Sequence, residues 1–421
     1  MYEQAELQLR EALAVREALR GEAHPDSSET RSYLAFTLMR AGRLQEAGRL
    51  VDICLDFQRV DPGPQHPDTL RTMACKAMIL RKQKDYGAAQ TLYQQVLLQQ
   101  RELLGPSHGD TVRSLVGLGN VLFDQEDYVG AENYYRKALT FQVLHPGPLD
   151  PETLATRHNL GNSLVRREQY ARAEPLLLEA ATLRTRVLGP VHHLTMGTRF
   201  LLASCVYRRE HYERAERMLL GIMADGRNMP PEAVGDILLI AMNRLSLVYQ
   251  KTQRTDPAIA LLRDLETLAG RMGRPNSRLA LQALHNLGSF HNEKDQPRAA
   301  LPFYERALDG YMQTLGSEHP YTLRTWADLA EIYVKLGLDE NGAFVGQLWE
   351  ITRRIDPDGS PAAFCGLAYG NWLLRAGRLG EAEDLLSQLY RRACQLDAPV
   401  LTHIREARER LAERRALTSS K

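Results

Sequence analysis

Residues 66–105 read His66-Pro67-Asp68-Thr69 followed by LRTMACKAMILRKQKDYGAAQTLYQQVLLQQRELLG, and this stretch decides the fold. Asp68 or Thr69 stands where a side chain can cap the free N–H groups of a first helical turn. Leu70, Met73, Ala74, Ala77 and Leu80 then recur at three- and four-residue spacing, which predicts an amphipathic helix A. Lys84-Asp85-Tyr86 marks a turn. Ala88, Ala89, Leu92, Tyr93, Val96 and Leu97 continue the helical period as helix B, and Leu104-Gly105-Pro106 stops it. The unit is a hairpin of two helices, with small Ala89 placed for close helix contact.

Working outward, the phrase recurs. Tyr86, Tyr128, Tyr170 and Tyr212 stand 42 residues apart, each followed three residues later by alanine. Ala5, Ala47, Ala89, Ala131, Ala173 and Ala215 keep the same interval, and so do His24, His66 and His108, with Asp150 in the next slot before His192. Repetition at this period marks a solenoid, in which each unit buries its apolar face only on its neighbours. Helix B alone is expected at about 2–20, and hairpins at about 26–60, 68–104, 110–144, 152–188, 194–224, 234–270, 277–315, 320–354 and 361–396. The phase slips by one near Thr255, because Ala258 stands where 257 is expected. The reading divides the chain into a regular array over 1–225, a more degenerate array over 226–400 and a capping helix with tail over 401–421. The stretch from Gly226 to Gly235, with Pro230 and Pro231, is the least regular turn.

These residues resemble the tetratricopeptide repeat. Asn159-Leu160-Gly161, Tyr170, Ala173 and Ala180 match that family's small and aromatic positions, and Trp326 stands where the family often has Trp. The 42-residue period and the phrase from Leu315 to Pro320 look like the kinesin-light-chain type, which also occurs in bacterial multidomain proteins. The resemblance implies an all-α fold, a right-handed α-solenoid of antiparallel hairpins, whose helices A line a concave groove. It implies a protein-interaction scaffold that holds a peptide or protein segment there. The alternative is the regulatory arm of a larger multidomain enzyme, with catalysis elsewhere.

Composition is compatible with both. The formal net charge is +1, so no global field draws the chain to nucleic acid or anionic membrane. The 5 cysteines are scattered, without a CxxC pair, as expected of free thiols in a reducing compartment, and a cytoplasmic location is expected. No apolar run approaches the roughly 18 residues of a membrane helix. The sequence holds no phosphate loop, GxSxG turn, HExxH or kinase catalytic loop, so neither catalytic residues nor a cofactor is expected. The repeat histidines, one per hairpin, are expected in turn packing rather than at a metal, since adjacent copies sit roughly 10 Å apart.

The resemblance places two columns of helix A toward the groove. One runs Phe36, Met78, Asn120, Asn162, Ser204, Ser246, Ser289, Glu331; the other Tyr33, Cys75, Gly117, Asn159, Leu201, Asn243, Asn286, Asp328. Helix interiors disfavour Asn, so its recurrence asks for a reason. A carboxamide offers a donor and an acceptor to a peptide backbone, which makes Asn120, Asn159, Asn162, Asn243 and Asn286 candidate contacts. The other readings are bonding between neighbouring helices and simple inheritance of the repeat. Arg113, Arg166, Arg208, Tyr207 and Tyr249 lie in nearby columns, placed either to hold an acidic or aromatic peptide or to form a solvated face. His158 and His285 share a column as candidate ligand contacts. Asn120 and Asn159 match the paired asparagines of chaperone-tail receptors, but Val116, Gly197 and Leu201 replace the basic partners, which argues against that role.

Overall fold

Each occurrence of the 42-residue phrase becomes a pair of antiparallel helices in the computed structural model, which describes residues 2–227, 229, 236–338, 342–395 and 400–419. Among the described residues every regular element is a helix, and the chain is an α-solenoid of hairpins. The helices fall into two compact units, Met1–Arg214 and Ala215–Lys421. The first holds α1 (Tyr2–Arg20), α2 (Pro25–Arg40), α3 (Leu44–Val60), α4 (Pro67–Lys82), α5 (Tyr86–Leu103), α6 (Gly109–Asp124), α7 (Tyr128–Leu144), α8 (Pro151–Arg166), α9 (Tyr170–Leu188) and α10 (His193–Arg208). The second holds all but the first turn of α11 (Tyr212–Arg227), then α12 (Ile237–Lys251), α13 (Thr255–Arg271), α14 (Arg278–Glu293) and α15 (Pro297–Leu315). It ends with α16 (Pro320–Leu336), α17 (Ala343–Ile355), α18 (Ser360–Arg375), α19 (Leu379–Gln395) and α20 (Leu401–Ser419). Most of the irregular stretch 226–235 lies outside the described residues.

The repeat histidines turn out to be the caps. In His24, His66, His108, His192 and His319 the ring Nδ1 accepts the backbone N–H two residues on, at 3.2 Å each. Asp150 does the same with its carboxylate, at 2.8 Å from Glu152 N. The cap expected from Asp68 or Thr69 is thus displaced to His66. Pro67 explains the shift: its fixed φ and missing N–H suit the first helical position, so the cap must precede it. Thr69 is instead buried, its Oγ1 donating to the Gly63 carbonyl at 2.8 Å; Thr111 and Thr322 repeat this bond at Gly105 and Gly316. Between helices A and B the chain passes through left-handed backbone at Lys84, Glu126, Glu168 and Glu210, with φ from 58 to 67°. Gly42 occupies the same slot in the first hairpin at φ 84°. The side chains at the other four accept a cost of roughly 1 kcal/mol to make the same turn.

The small columns set how closely the helices pack. Ala47, Ala89, Ala131, Ala173 and Ala215 are fully buried. One column of helix A is smaller still. A Cβ on Gly119 would stand 2.8 Å from the Tyr135 ring, one on Gly161 2.6 Å from Leu177 Cδ2, and one on Gly288 2.9 Å from the Tyr304 ring. Tyr135 and Tyr304, each 1% exposed, fill the space those glycines leave.

Buried ion clusters staple successive repeats of the first unit. Glu132 on α7 receives Arg136 and Arg172 at 2.7 Å each, and also Arg167. Glu174, one repeat on, receives Arg209 and Arg214. Burial pushes both carboxyls up, but the guanidinium groups outweigh it and hold them below the usual range. In the second unit, Val400 and, on α20, Ile404, Ala407 and Leu411 are buried with Leu386 and Leu389 of α19.

Candidate functional site

In the first unit, helices α2, α4, α6 and α8 line a groove of about 1110 Å³. Its floor at the α2–α4 end is apolar: Tyr33 and Phe36 lie one turn apart on α2, 59% and 46% exposed, beside Cys75 and Met78 of α4. Burial pushes the Cys75 thiol up to about 11, so it is protonated at neutral pH. Farther along, Val116, Gly117, Asn120, Ala155 and Asn159 form the wall. Gly117 is required there, because a Cβ would stand 2.4 Å from the ring of Tyr93.

Asn120 and Asn159 are tied to each other across neighbouring helices. Asn159 Nδ2 donates to Asn120 Oδ1 at 3.1 Å, and the buried Tyr135 hydroxyl donates to the same oxygen at 2.7 Å. The bonds fix both amides. They leave the Asn120 Nδ2 and the Asn159 Oδ1 without a partner among the described residues.

The groove's charge is unbalanced. Its lining holds six carboxylates, Asp26, Glu29, Asp61, Asp68, Asp110 and Glu152, against two guanidinium groups, Arg71 and Arg113. Both guanidiniums are held by those carboxylates: Arg71 lies 2.6 Å from Asp68 and 3.4 Å from Asp110, and Arg113 also pairs with Asp110. Arg20 pairs with Asp26 and Arg16 lies 3.8 Å from Glu29, while Asp61 and Glu152 have no ion pair among the described residues. Asp26, Asp68, Asp110 and Glu152 each sit at the second position of a helix, where the dipole favours a carboxylate.

Of the sequence-derived candidates in this unit, the groove brings together Arg113, Asn120 and Asn159. His158 is a tie between helices: its Nδ1 meets Thr198 Oγ1 of α10 at 3.2 Å, and Arg184 donates to the same hydroxyl at 2.6 Å. Burial, then the Arg184 charge, depress the ring to about 4, so it is neutral at physiological pH. Arg166 stacks on the Tyr128 ring at 5.0 Å. Tyr207 packs on Tyr212 with ring centroids 5.6 Å apart. Asn162 is half-buried and Arg208 exposed, and neither lines the groove.

The second unit uses the same columns internally. Asn243, 8% exposed, donates to Gln282 Oε1 and accepts from Asn286 Nδ2, both at 3.1 Å. His285 repeats the His158 tie, its Nδ1 3.1 Å from Thr325 Oγ1, and packs edge-on against Tyr304. Its Nε2 faces Asp328 Oδ2 at 3.3 Å. Burial holds His285 down to about 3 and raises Asp328 to about 7, the latter opposed by Arg324 and aided by Glu331. Tyr249 lies under the Arg254 guanidinium, 4.6 Å from ring centroid to Cζ.

Selection by residue type missed Tyr33, Phe36, Cys75 and Met78, although they occupy the two groove columns. It also missed the carboxylates at the groove rim. The available signal was position: in the first two repeats these columns carry large apolar residues on a helix face that has no further helix to cover it.

The chain matches tetratricopeptide-repeat family models at residues 2–26, 70–142, 152–220 and 279–340. Both models describe repeats rather than a catalytic domain. No curated protein matches the sequence. Among solved structures, a signal-transduction ATPase with a tetratricopeptide repeat sensor from Pyrococcus horikoshii superposes with TM-score 0.61 at 11% identity, covering 93% of this chain and 56% of that one. The apo form of RapI gives TM-score 0.53 at 14% identity, covering 80% and 94%. A kinesin-light-chain-type array of nearly identical repeats from Podosopora anserina gives 0.44 at 20% identity, covering 49% and 98%. At these identities the likeness is one of fold. Among the described residues no helix is long and apolar enough to cross a membrane. With its models covering more than half the residues, the chain belongs to the tetratricopeptide-repeat family, whose helical arrays are protein-interaction scaffolds.

Proposed function

We propose that the first unit is a non-enzymatic module holding an extended peptide or protein segment in the groove of α2, α4, α6 and α8. One observation carries this reading: the groove holds a fixed pair of amides, Asn120 and Asn159, with a donor and an acceptor left over. That is the pairing an extended backbone needs, whatever its side chains. The volume of about 1110 Å³ also exceeds the usual range of small-molecule pockets. Excess carboxylate on the lining disfavours nucleic acid, whose phosphates call for basic grooves. The other candidates, Asn162, Arg166, Tyr207, Arg208 and, in the second unit, Asn243, Tyr249, His285 and Asn286, serve internal ties or lie off this groove. Of the proposed contacts, Arg113, Asn120 and Asn159 remain.

The test is site-specific photocrosslinking. A crosslinker at Val116 should capture a defined partner segment, and the same probe on an exposed residue of α9 should not. Equal capture at both positions would remove the groove from the account.

A second reading, the sensor arm of a larger enzyme, draws on the Pyrococcus structure, in which such a repeat array is a sensor attached to an ATPase. The mass of the native protein in its own cells decides it: a band well above 47.6 kDa supports the larger chain, and one at that mass rejects it.

A further inference from the structure

We infer that the segment taken by the first unit's groove is basic, carrying arginine or lysine along an extended backbone; this rests on the groove reading above. Of the six carboxylates lining the groove, Asp68 and Asp110 hold Arg71 and Arg113, Asp26 holds Arg20, and Glu29 meets Arg16 only at 3.8 Å. Four helix N-termini contribute roughly half a positive charge each. Asp61 and Glu152 are left with no ion pair among the described residues and Glu29 with only a distant one, while the whole chain carries only +1.

Glu29 and Asp61, which lie outside the helix N-termini, line the same groove as the exposed Tyr33 and Phe36. The Tyr33 hydroxyl reaches Glu29 at 3.5 Å, so an aromatic face and a carboxylate are presented together. A long cationic side chain meets both demands. Its alkyl stem covers the apolar floor, its head meets the carboxylate, and the ring face attracts the charge. An acidic segment would bring its charge against Asp61 and Glu152, which have no ion pair among the described residues.

Four helices at 8–10 Å spacing span roughly 30 Å, enough for about nine extended residues. The probes are therefore two fluorescein-labelled peptides of about nine residues, identical except that arginine and lysine in one are glutamate in the other. Binding to the intact chain is read by fluorescence anisotropy. The basic peptide is expected to bind at least about tenfold tighter, and to weaken steeply as salt shortens the Debye length from about 30 to about 3 Å. Its affinity should fall roughly tenfold in the triple variant Glu29→Gln, Asp61→Asn, Glu152→Gln.

Three outcomes overturn the inference: the glutamate peptide binding as well as the basic one, the triple variant leaving affinity unchanged, or neither peptide binding. Ala155→Trp, which fills the groove, separates the two levels, and Ser32→Trp serves if Ala155→Trp melts early by circular dichroism. If the glutamate peptide binds and the filled groove abolishes that binding, the groove stands and its charge preference falls. If binding ignores the filled groove, both fall.

Discussion

The same two columns of helix A serve different ends in the two units. In the first unit Asn120 and Asn159 bond each other and Tyr135, and keep a donor and an acceptor beside an open groove. In the second, Asn243 is 8% exposed and bonded on both sides, Ser246 is fully buried, and burial raises the Asp328 carboxyl to about 7. Column position therefore does not make a ligand contact. What differs between the units is how much hydrogen-bonding capacity the neighbouring helices consume.

The largest expected effect tests whether the two units share one packing rule. Gly161→Ala and Gly288→Ala should each destabilise by about 1–3 kcal/mol, because Leu177 and Tyr304 are buried and cannot retreat from a new Cβ. Denaturant melts of both variants check this. Tolerance at Gly288 alone would break the equivalence. Next, Glu132→Gln should cost about 2 kcal/mol, since three guanidiniums lose their carboxylate in a buried site. Glu216→Gln in the second unit, whose carboxylate pairs with the exposed Arg254 and bonds the Tyr249 hydroxyl, should cost under about 1 kcal/mol. Equal losses would mean that the staples are not specific to the first unit.

A smaller effect separates the units by pH. The folded state holds a proton on Asp328 up to about 7, against 3.8 for the free group, and keeps His285 neutral down to about 3, against 6.5. Between about 4 and 6.5 the folded and unfolded pairs bind the same number of protons, and the two contributions cancel. Asp328→Asn removes one of them. The carboxyl's contribution is unfavourable above 3.8 and grows until pH passes about 7, so the variant should gain on the parent by about 1 kcal/mol between pH 4.5 and 7.5. Melting temperatures of both proteins at the two pH values test it, and a constant difference contradicts it. The smallest effect is a rate. Alkylation of Cys75, buried-shifted to about 11, should be slow at pH 7 beside exposed Cys394, and should accelerate with pH.

Most of the fold was legible because repetition makes each assignment several times. Helix positions, the buried alanines and the slip near Ala258 follow from apolar spacing alone. The capping histidine was not, because Asp68 and Thr69 are better intrinsic caps and only Pro67 moves the helix start. The left-handed turn at Lys84 and Glu126 was hidden as well, since neither residue advertises positive φ. The site was half legible. The asparagine columns were found, but whether each amide is fully bonded depends on partners about forty residues away, such as Tyr135 for Asn120 and Gln282 for Asn243. The acid rim escaped notice because its members are adjacent only once four hairpins are stacked.

The measurement that bears most directly on the central claim compares equivalent fillings of the two units. Ala155 of the first unit's groove corresponds in repeat position to Gln282 of the second. We expect Ala155→Trp to weaken binding of the crosslinked segment by about a hundredfold, and Gln282→Trp to leave it within about twofold, with both proteins retaining parental helix content. Unchanged binding in Ala155→Trp, or an equal loss in both variants, would contradict a binding groove confined to the first unit.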